Sequence, residues 1–246
     1  MQFFNTEAFA SEMDSKDKLA SFREKFYIPL HEGKQMVYFT GNSLGLQPQS
    51  ALQAIQDELN NWKDLGVEGH FKGSKPWMHY HKFLNEKAAE IVGAKPSEVV
   101  IMNNLTVNLH LMMVSFYRPE GKRYKILMES GAFPSDQYAM ESQAKFHGYD
   151  YEDAVVEISP REGEDTLRTE DILAKIEELG DSLALCMFSG VQYYTGQYFN
   201  IPEITKAGKK VGAVVGFDLA HAAGNVRLKL HEWDVDFAVW CGYKYL

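Results

Sequence analysis

The feature that most constrains the fold of this chain is the alternation of short apolar segments with helical segments from residue 99 onward. Six segments have the composition of buried strands, at residues 99–102, 124–128, 155–158, 183–188, 211–217 and 237–241. Helical patterns separate most of them. Short apolar strands alternating with helices are typical of a parallel sheet that is covered on both faces. The sequence therefore predicts an α/β fold, a three-layer αβα arrangement around a mainly parallel sheet.

The length of 246 residues is enough for one large domain or at most two small ones. The first 40 or so residues show a mixed helical pattern over residues 8–26, and Pro29 is expected to end that helix. Pro48 is well placed to open a second helix that runs to about Leu65. We predict that residues 1–47 form an N-terminal helix and connector and that residues 48–246 form the large domain.

The composition restricts the partners and the compartment. A net charge of −9 without a basic cluster argues against nucleic acid as a partner. No run approaches about 18 apolar residues, and the N-terminus lacks a basic region followed by an apolar one, so neither a membrane span nor a signal peptide is expected. Cys186 and Cys241 lie in apolar runs, as in proteins of a reducing compartment. We therefore expect a cytoplasmic protein.

Two charged residues follow apolar strands near the end of the chain. Asp218 closes the segment 211–217, and Lys244 follows Tyr243 just after the segment 237–241. A lysine and an aspartate on neighbouring strand ends meet the needs of pyridoxal phosphate (PLP), because the amine forms a Schiff base with the aldehyde and the carboxylate keeps the pyridine nitrogen protonated. Taken alone, Lys244 is explained as well by an amine that extends to solvent from a strand end.

Two earlier segments follow predicted strands in the same way. Leu105 and Thr106 begin a predicted helix after residues 99–102, where free backbone N–H groups suit a phosphate. The simpler explanation is that Asn104 caps that helix. Phe133, in a Phe-Pro-Ser-Asp motif, would place a ring beside a planar cofactor, although a core phenylalanine beside a helix N-cap is the commoner use of such a segment.

Other cofactor and metal motifs are missing from the sequence. His221 follows Asp218 by three residues, but no third or fourth ligand stands at a convincing spacing, so we predict no metal site. No G-x-G-x-x-G after a strand, no P-loop and no G-x-S-x-G motif is present. The combination of a phosphate site, an aromatic ring, an aspartate and a lysine on successive strand ends is what indicates PLP.

The order of these motifs resembles the kynureninase family of fold-type I PLP enzymes. The resemblance extends over nearly all of the chain from about Tyr38 and rests on residues 41–48, 104–110, 133–136, 189–196, 218–221 and 243–245. It implies a PLP-dependent transferase-like large domain. It also implies hydrolysis of L-kynurenine, with 3-hydroxy-L-kynurenine as a second candidate substrate, to anthranilate and L-alanine in tryptophan catabolism and NAD biosynthesis. A homodimer is expected from the same resemblance.

The resemblance assigns roles to individual residues. Lys244 would carry PLP and then remove the substrate Cα proton, Asp218 would pair with the pyridine nitrogen, and Tyr243 or His221 would assist proton transfers. The cofactor-binding residues that it implies are Leu105, Thr106, Phe133, Asp136, Ser189, Asp218, His221, Tyr243 and Lys244. Ser43 and His70 match positions that line the substrate pocket in the family.

Two departures and two alternatives accompany this hypothesis. Gly242 stands where the family more often has a serine, and family members continue well beyond the position of Lys244. We therefore expect a cofactor-domain portion without the small C-terminal domain, and no activity from this portion alone. The alternatives are another fold-type I PLP enzyme, such as a cysteine desulfurase or an aminotransferase, and a non-catalytic α/β module that binds a phosphate ligand.

Overall fold

A computed structural model describes residues 2–246, which divide into two compact units. The first ends at Tyr80, and the second is His81–Leu246. The division predicted at residues 47 and 48 stays a prediction, because compactness alone does not define the limits of a cofactor-binding domain. Within residues 2–246, none of the helices has the length and apolar character needed to cross a membrane.

The first unit is built from helices and a short hairpin. It contains helix α1 (Glu7–Lys16), strands β1 (Leu30–His31) and β2 (Lys34–Gln35), helix α2 (Ala51–Leu65) and 3₁₀ helices at Ala20–Lys25 and Gly66–His70, while a third 3₁₀ helix, Trp77–Lys82, spans the division. The single helix predicted over residues 8–26 is wrong. Asp17 adopts an extended conformation and its carboxylate accepts a hydrogen bond from the Leu19 N–H, which ends α1 at Lys16.

The second unit contains a five-stranded sheet and the remaining helices. Its elements are α3 (Asn85–Val92), α4 (Leu105–Phe116), β3 (Lys125–Glu129), α5 (Pro134–Phe146), α6 (Tyr151–Ala154), β4 (Val155–Ile158), α7 (Thr169–Leu179), β5 (Leu183–Ser189), α8 (Ile201–Lys210), β6 (Val214–Asp218) and β7 (Phe237–Val239), with 3₁₀ helices at Pro96–Glu98 and Gly180–Ser182. The strand order is β4-β3-β5-β6-β7, and every neighbouring pair is parallel. The predicted α/β class is confirmed.

Helices cover both faces of this sheet. Successive side chains of a strand point to opposite faces, so Leu127 belongs to one core while Ile126 and Met128 belong to the other. The first core includes side chains of α3, α7 and α8, and the second includes side chains of α4 and α5. These two apolar layers explain why the strands read as continuous apolar runs, and they confirm the three-layer αβα arrangement.

One predicted strand does not form. Residues 99–102 belong to no strand, although Val99 has extended backbone angles. A strand needs a hydrogen-bonded neighbour, and the sheet ends instead at β7, whose other side faces a cleft of about 510 Å³ lined by Val99, Ile101 and Met102. The apolar composition of this segment predicts a strand but does not supply a pairing partner, so the prediction is wrong here.

The topology reverses direction beside β3. The chain passes from β3 to β4 on one side and then returns to place β5 on the other side of β3. In open parallel sheets, the carboxyl ends of strands at such a reversal leave a crevice where ligands bind. The residues at the ends of β3, β5 and β6 are Glu129, Ser189 and Asp218. The fold therefore brings polar side chains together at this edge of the sheet.

Candidate active site

A small pocket lies at the carboxyl ends of these strands. It measures about 80 Å³ and is lined by Leu105, Thr106, Phe133, Ser135, Ser189, Val191, Tyr193, Asp218, Ala220, His221, Tyr243 and Lys244. Eight of the nine residues that the sequence predicts for the cofactor are among them, and the ninth, Asp136, contacts Asp218. The register explains part of this convergence, because Ser189 lies directly opposite Asp218 in the β5–β6 ladder.

Lys244 lies in a turn that follows β7, since the strand ends at Val239 and the Leu246 N–H donates to the Gly242 carbonyl at 3.0 Å. Its side chain is half-buried, and the amine enters the pocket. Lys244 Nζ is 2.8 Å from His221 Nε2 and 5.9 Å from the centroid of the Phe133 ring. The amine and a planar aromatic ring therefore face the same space.

His221 accepts a hydrogen bond from the lysine through Nε2, because a protonated amine has only donors to offer. Its proton then belongs on Nδ1, which lies 3.4 Å from the Tyr245 hydroxyl and donates to it. Burial, together with the positive charge of Lys244, lowers the pKa of His221. A neutral imidazole beside the amine can receive a proton from Lys244 or return one.

Asp218 and Asp136 form a buried carboxyl pair. Asp218 is 5% exposed, and its Oδ1 accepts the Ala220 N–H at 2.7 Å. Asp136 is also 5% exposed, and burial, with the adjacent Asp218 carboxyl, raises its pKa to about 9. Burial also raises the pKa of Asp218, whereas the hydrogen bonds from Asp136 and the Ala220 N–H and the charge of Lys244 lower it. We therefore assign the proton of the pair to Asp136, which donates to Asp218, and the negative charge to Asp218.

A third buried carboxyl, Glu129, was not among the residues predicted from the sequence. It ends β3, is 2% exposed and contacts the backbone N–H of Ser189 at 3.2 and 3.3 Å as well as its hydroxyl. Burial raises the pKa of Glu129, and the nearby Asp218 carboxylate adds to the effect. The signal that singled out Asp218, an acidic residue closing an apolar strand, also applies to Glu129.

Because burial raises the pKa of these carboxyl groups, we expect the protein without cofactor to become less stable as the pH rises. The folded state binds the Asp136 proton more tightly than the unfolded state, so this stabilisation is complete below the ordinary aspartate pKa and is lost as the pH rises through about 9. The melting temperature at pH 9 is expected to be about 5 °C or more below that at pH 7. Differential scanning calorimetry measures the difference, and Asp136→Asn should reduce it.

A melting temperature that rises from pH 7 to pH 9 would contradict this assignment of the proton. Asp181 provides a matched control, because its carboxylate is exposed and pairs with Lys122, which lowers its pKa. Asp181→Asn removes no group that titrates in this interval. It should leave the difference between the two melting temperatures unchanged.

The remaining walls of the pocket come from an aromatic pair and a helix N-terminus. Phe133 precedes Pro134 at the start of α5 and packs edge-on against Tyr193 with ring centroids 5.2 Å apart. The α4 helix begins at Leu105, and its Asn104 cap accepts the Val107 N–H at 3.0 Å. The capping role considered for Asn104 is thus confirmed, and Leu105 and Thr106 line the pocket beside it.

The residues fit a flat, anionic cofactor that carries an aldehyde. An amine, a carboxylate, an aromatic ring and a helix N-terminus line one pocket, which is the donor set that PLP requires. A volume of 80 Å³ is below the range of about 300–1,000 Å³ for ligand pockets. Phe133, Tyr193 and Tyr243 are each more than a third exposed, so rotation of these side chains can widen the pocket.

Among residues 2–246 no group of three or more histidine, cysteine or acidic side chains is arranged to hold a metal ion. The pocket is also lined by residues to which the sequence gave no individual role, namely Ser135, Val191, Tyr193 and Ala220. Each of them lies inside a motif that carries the family resemblance, at residues 133–136, 189–196 or 218–221.

The two residues predicted for the substrate lie in the first unit. The Ser43 backbone N–H donates to the Thr40 carbonyl at 2.9 Å. His70 packs edge-on against Trp77 with ring centroids 5.4 Å apart, and Trp77 lies so close to Gly69 that any side chain there would clash with the indole. Their assignment to a substrate pocket stays a prediction.

Comparison with known proteins identifies the family. The sequence profile described as "Aminotransferase class-V" matches residues 37–246. The chain belongs to the aminotransferase class-V family. This class-V match covers both the pocket-lining residues and the greater part of the chain, as the resemblance of the motifs implies.

Several curated relatives of this class-V chain are similar along its whole length. It is 58% identical over 246 residues to a kynureninase of Christiangramia forsetii, covering 100% of this chain and 58% of the relative. It is 52% identical over 252 residues to a kynureninase of Homo sapiens, covering 98% of this chain and 54% of that protein. The chain thus spans a little more than half of the length of these relatives.

Solved structures share the fold at low identity. The cystine C-S lyase C-DES, in complex with its reaction product cysteine persulfide, superposes with a TM-score of 0.69 at 19% identity, covering 85% of this chain and 53% of that one. The cysteine desulfurase CsdA of Escherichia coli gives a TM-score of 0.68 at 15% identity, covering 93% and 55%. These likenesses show that this chain has the same fold as these two enzymes.

Proposed function

We propose that the pocket holds PLP as a Schiff base with Lys244 and that the whole protein is a kynureninase. The observation that carries this proposal is that the Lys244 amine, the Asp218 carboxylate and the Phe133 ring line one pocket at the carboxyl ends of the strands. When bound, the protonated pyridine ring of PLP acts as an electron sink. The activity is the hydrolysis of a carbon–carbon bond in L-kynurenine, which yields anthranilate and L-alanine.

Different residues of the pocket would hold different parts of the cofactor. Asp218 would pair with the pyridine nitrogen of the cofactor, and the hydrogen bonds from Asp136 and the Ala220 N–H stabilise its charge. The N-terminus of α4, with Leu105 and Thr106, offers N–H and hydroxyl donors to the phosphate. Phe133 would supply an aromatic side chain beside the cofactor ring.

Proton transfer is the work of Lys244 and its neighbours. The Lys244 amine would hold the cofactor and would also act as the base that takes the proton from the substrate Cα. His221 lies 2.8 Å from this amine as a neutral acceptor, so it orients the amine and can share the proton. The hydroxyl of Tyr243, whose pKa is raised by its hydrogen bond with Cys241 and by burial, lines the same pocket and is a second proton donor.

The choice of kynurenine as substrate rests on the relatives. Identities of 52–59% along the chain favour a kynureninase over the desulfurases and lyases, whose identity is below 20%. Ser43 and His70 are proposed to contact the substrate, and 3-hydroxy-L-kynurenine is a second candidate. We also propose a cytoplasmic homodimer that acts in tryptophan catabolism and NAD biosynthesis.

The substrate is tested by product analysis on the whole protein loaded with PLP. L-kynurenine and L-cysteine are supplied in parallel, and anthranilate is followed by its fluorescence while sulfide or persulfide is followed chemically. We expect anthranilate and an equal amount of L-alanine from kynurenine. Sulfur release from cysteine without anthranilate would favour the desulfurase alternative, and binding of PLP without either product would favour the non-catalytic module.

A further inference from the structure

Glu129 is a buried acid to which neither the family resemblance nor the proposed mechanism gives a role. It ends β3, and its carboxyl contacts both the backbone N–H and the hydroxyl of Ser189 at the end of β5. Among the described residues, no lysine or arginine forms an ion pair with Glu129. The other acids near it are Asp136 and Asp218, so an ionised Glu129 would add a second negative charge beside that of Asp218.

The protonation state of the Glu129 carboxyl decides which way the hydrogen of the Ser189 hydroxyl points. If Glu129 were ionised, it would only accept, and the single Ser189 hydroxyl proton would be directed back to it. The Ser189 oxygen would then present only its lone pairs, which are hydrogen-bond acceptors, to a ligand in the pocket. If Glu129 is neutral, its own O–H donates to the Ser189 oxygen, and the Ser189 proton is free to point into the pocket.

A second observation connects the direction of the Ser189 hydroxyl to the ligand. Ser189 lines the pocket beside Lys244 and Asp218, where PLP brings two anionic groups, a phosphate and a phenolate. Either group needs donors, and a hydroxyl that offered only lone pairs would repel it. Burial, strengthened by the negative charge of Asp218, raises the pKa of Glu129 and so favours the neutral form.

We propose that Glu129 is a positioning residue that donates a hydrogen bond to Ser189 Oγ and thereby presents the Ser189 hydroxyl to the pocket as a donor to an anionic oxygen of the cofactor. This inference rests on the proposed function. Glu129 does not itself line the pocket; it acts through Ser189. The backbone N–H of Ser189 donates to both oxygens of the same carboxyl and holds it beside the hydroxyl.

The test is a double-mutant cycle on PLP affinity, read from the absorbance of the protein-bound Schiff base. Glu129→Ala and Ser189→Ala are each expected to weaken PLP binding by about tenfold to a hundredfold, the range for a hydrogen bond to a charged group. The double variant should bind no worse than Ser189→Ala within about twofold. Glu129→Gln keeps a neutral donor and should bind within about threefold of the unsubstituted protein.

Pyridoxal, which lacks the phosphate, identifies the oxygen that accepts the hydrogen bond. If the effect of Ser189→Ala disappears with pyridoxal, the phosphate is the acceptor; if it persists, the phenolate is. Glu157→Gln is the matched control, because Glu157 lies on the neighbouring strand β4 with an exposed side chain. It should leave PLP affinity unchanged.

The carboxyl carbon of Glu129, observed by ¹³C NMR in the protein without cofactor and assigned by its loss in Glu129→Gln, should show a neutral acid at pH 7. An ionised signal, additive effects in the double variant, or a Glu129→Gln variant as weak as Glu129→Ala would each overturn the inference. A merely structural role would lower the melting temperature in Glu129→Ala and add to the effect of Ser189→Ala. Absence of the Schiff-base band in the unsubstituted protein removes the proposed function, while the NMR result still decides the polarity of the Glu129–Ser189 contact.

Discussion

Replacement of Lys244 by alanine is expected to abolish the covalent attachment of PLP and to lower turnover by about 10³-fold or more. In the proposed function, this amine is both the group that forms the Schiff base and the base that takes the substrate proton, and removal of such a group typically costs about 10²–10⁴ in rate. Borohydride reduction followed by peptide mapping should label Lys244 in the unsubstituted protein. The label and the yellow absorbance band should both be missing from Lys244→Ala.

Two further variants separate the amine from its charge. Lys244→Arg keeps a positive charge beside Asp218 but provides no amine that forms a Schiff base, so it should behave like Lys244→Ala. Lys210→Ala removes an exposed lysine in the last turn of α8 and should leave the band unchanged. An unchanged band in Lys244→Ala would show that PLP is attached elsewhere and would remove the cofactor assignment.

Replacement of Asp218 by asparagine is expected to lower turnover by about 100-fold. The amide keeps the shape and can still accept the Ala220 N–H, but it does not supply the charge that holds a proton on the pyridine nitrogen. A hydrogen bond to a charged group is worth roughly 1.5–3 kcal/mol, which corresponds to about 10–150-fold in rate. Steady-state kinetics with L-kynurenine measure the loss, and it should fall mainly on kcat.

Asp136→Asn is the informative comparison. Its side-chain amide still donates to Asp218, so the charge on Asp218 is retained and the loss should be much smaller, within about tenfold. An equal loss in both variants would mean that the negative charge is shared by the pair rather than located on Asp218. A loss that fell on KM alone in Asp218→Asn would indicate a role in binding without a role in the electron sink.

The sequence predicted most of the fold because the strands are covered on both faces. Continuous apolar runs such as β5 occur only where both sides of a sheet are packed, and the helices between them leave a parallel arrangement as the simplest solution. The failure at residues 99–102 has a physical reason. Composition predicts an extended backbone, but a strand exists only where another strand offers its hydrogen bonds, and that depends on parts of the chain distant in sequence.

The candidate site was predicted in the same uneven way. Asp218 and Lys244 stood out because each places a charged group directly after an apolar run, where burial of a charge without a partner costs free energy. Phe133 and Thr106 were recognised through their motifs. Glu129 obeyed the same rule as Asp218 but gave no sign of its partner, since Ser189 is 60 residues away and meets it only when β5 is placed beside β3.

The sequence by itself determined which chemical groups this protein has at its strand ends: an amine, a carboxylate, an aromatic ring and a helix N-terminus. Only the tertiary structure decided the protonation states and hydrogen-bond partners of these groups. Asp136 became the proton donor of Asp218, His221 the neutral acceptor beside Lys244, and Glu129 the buried acid behind Ser189. The reason is that the identity of a side chain is local, whereas its protonation depends on burial and on neighbouring charges that parallel pairing brings together from distant segments.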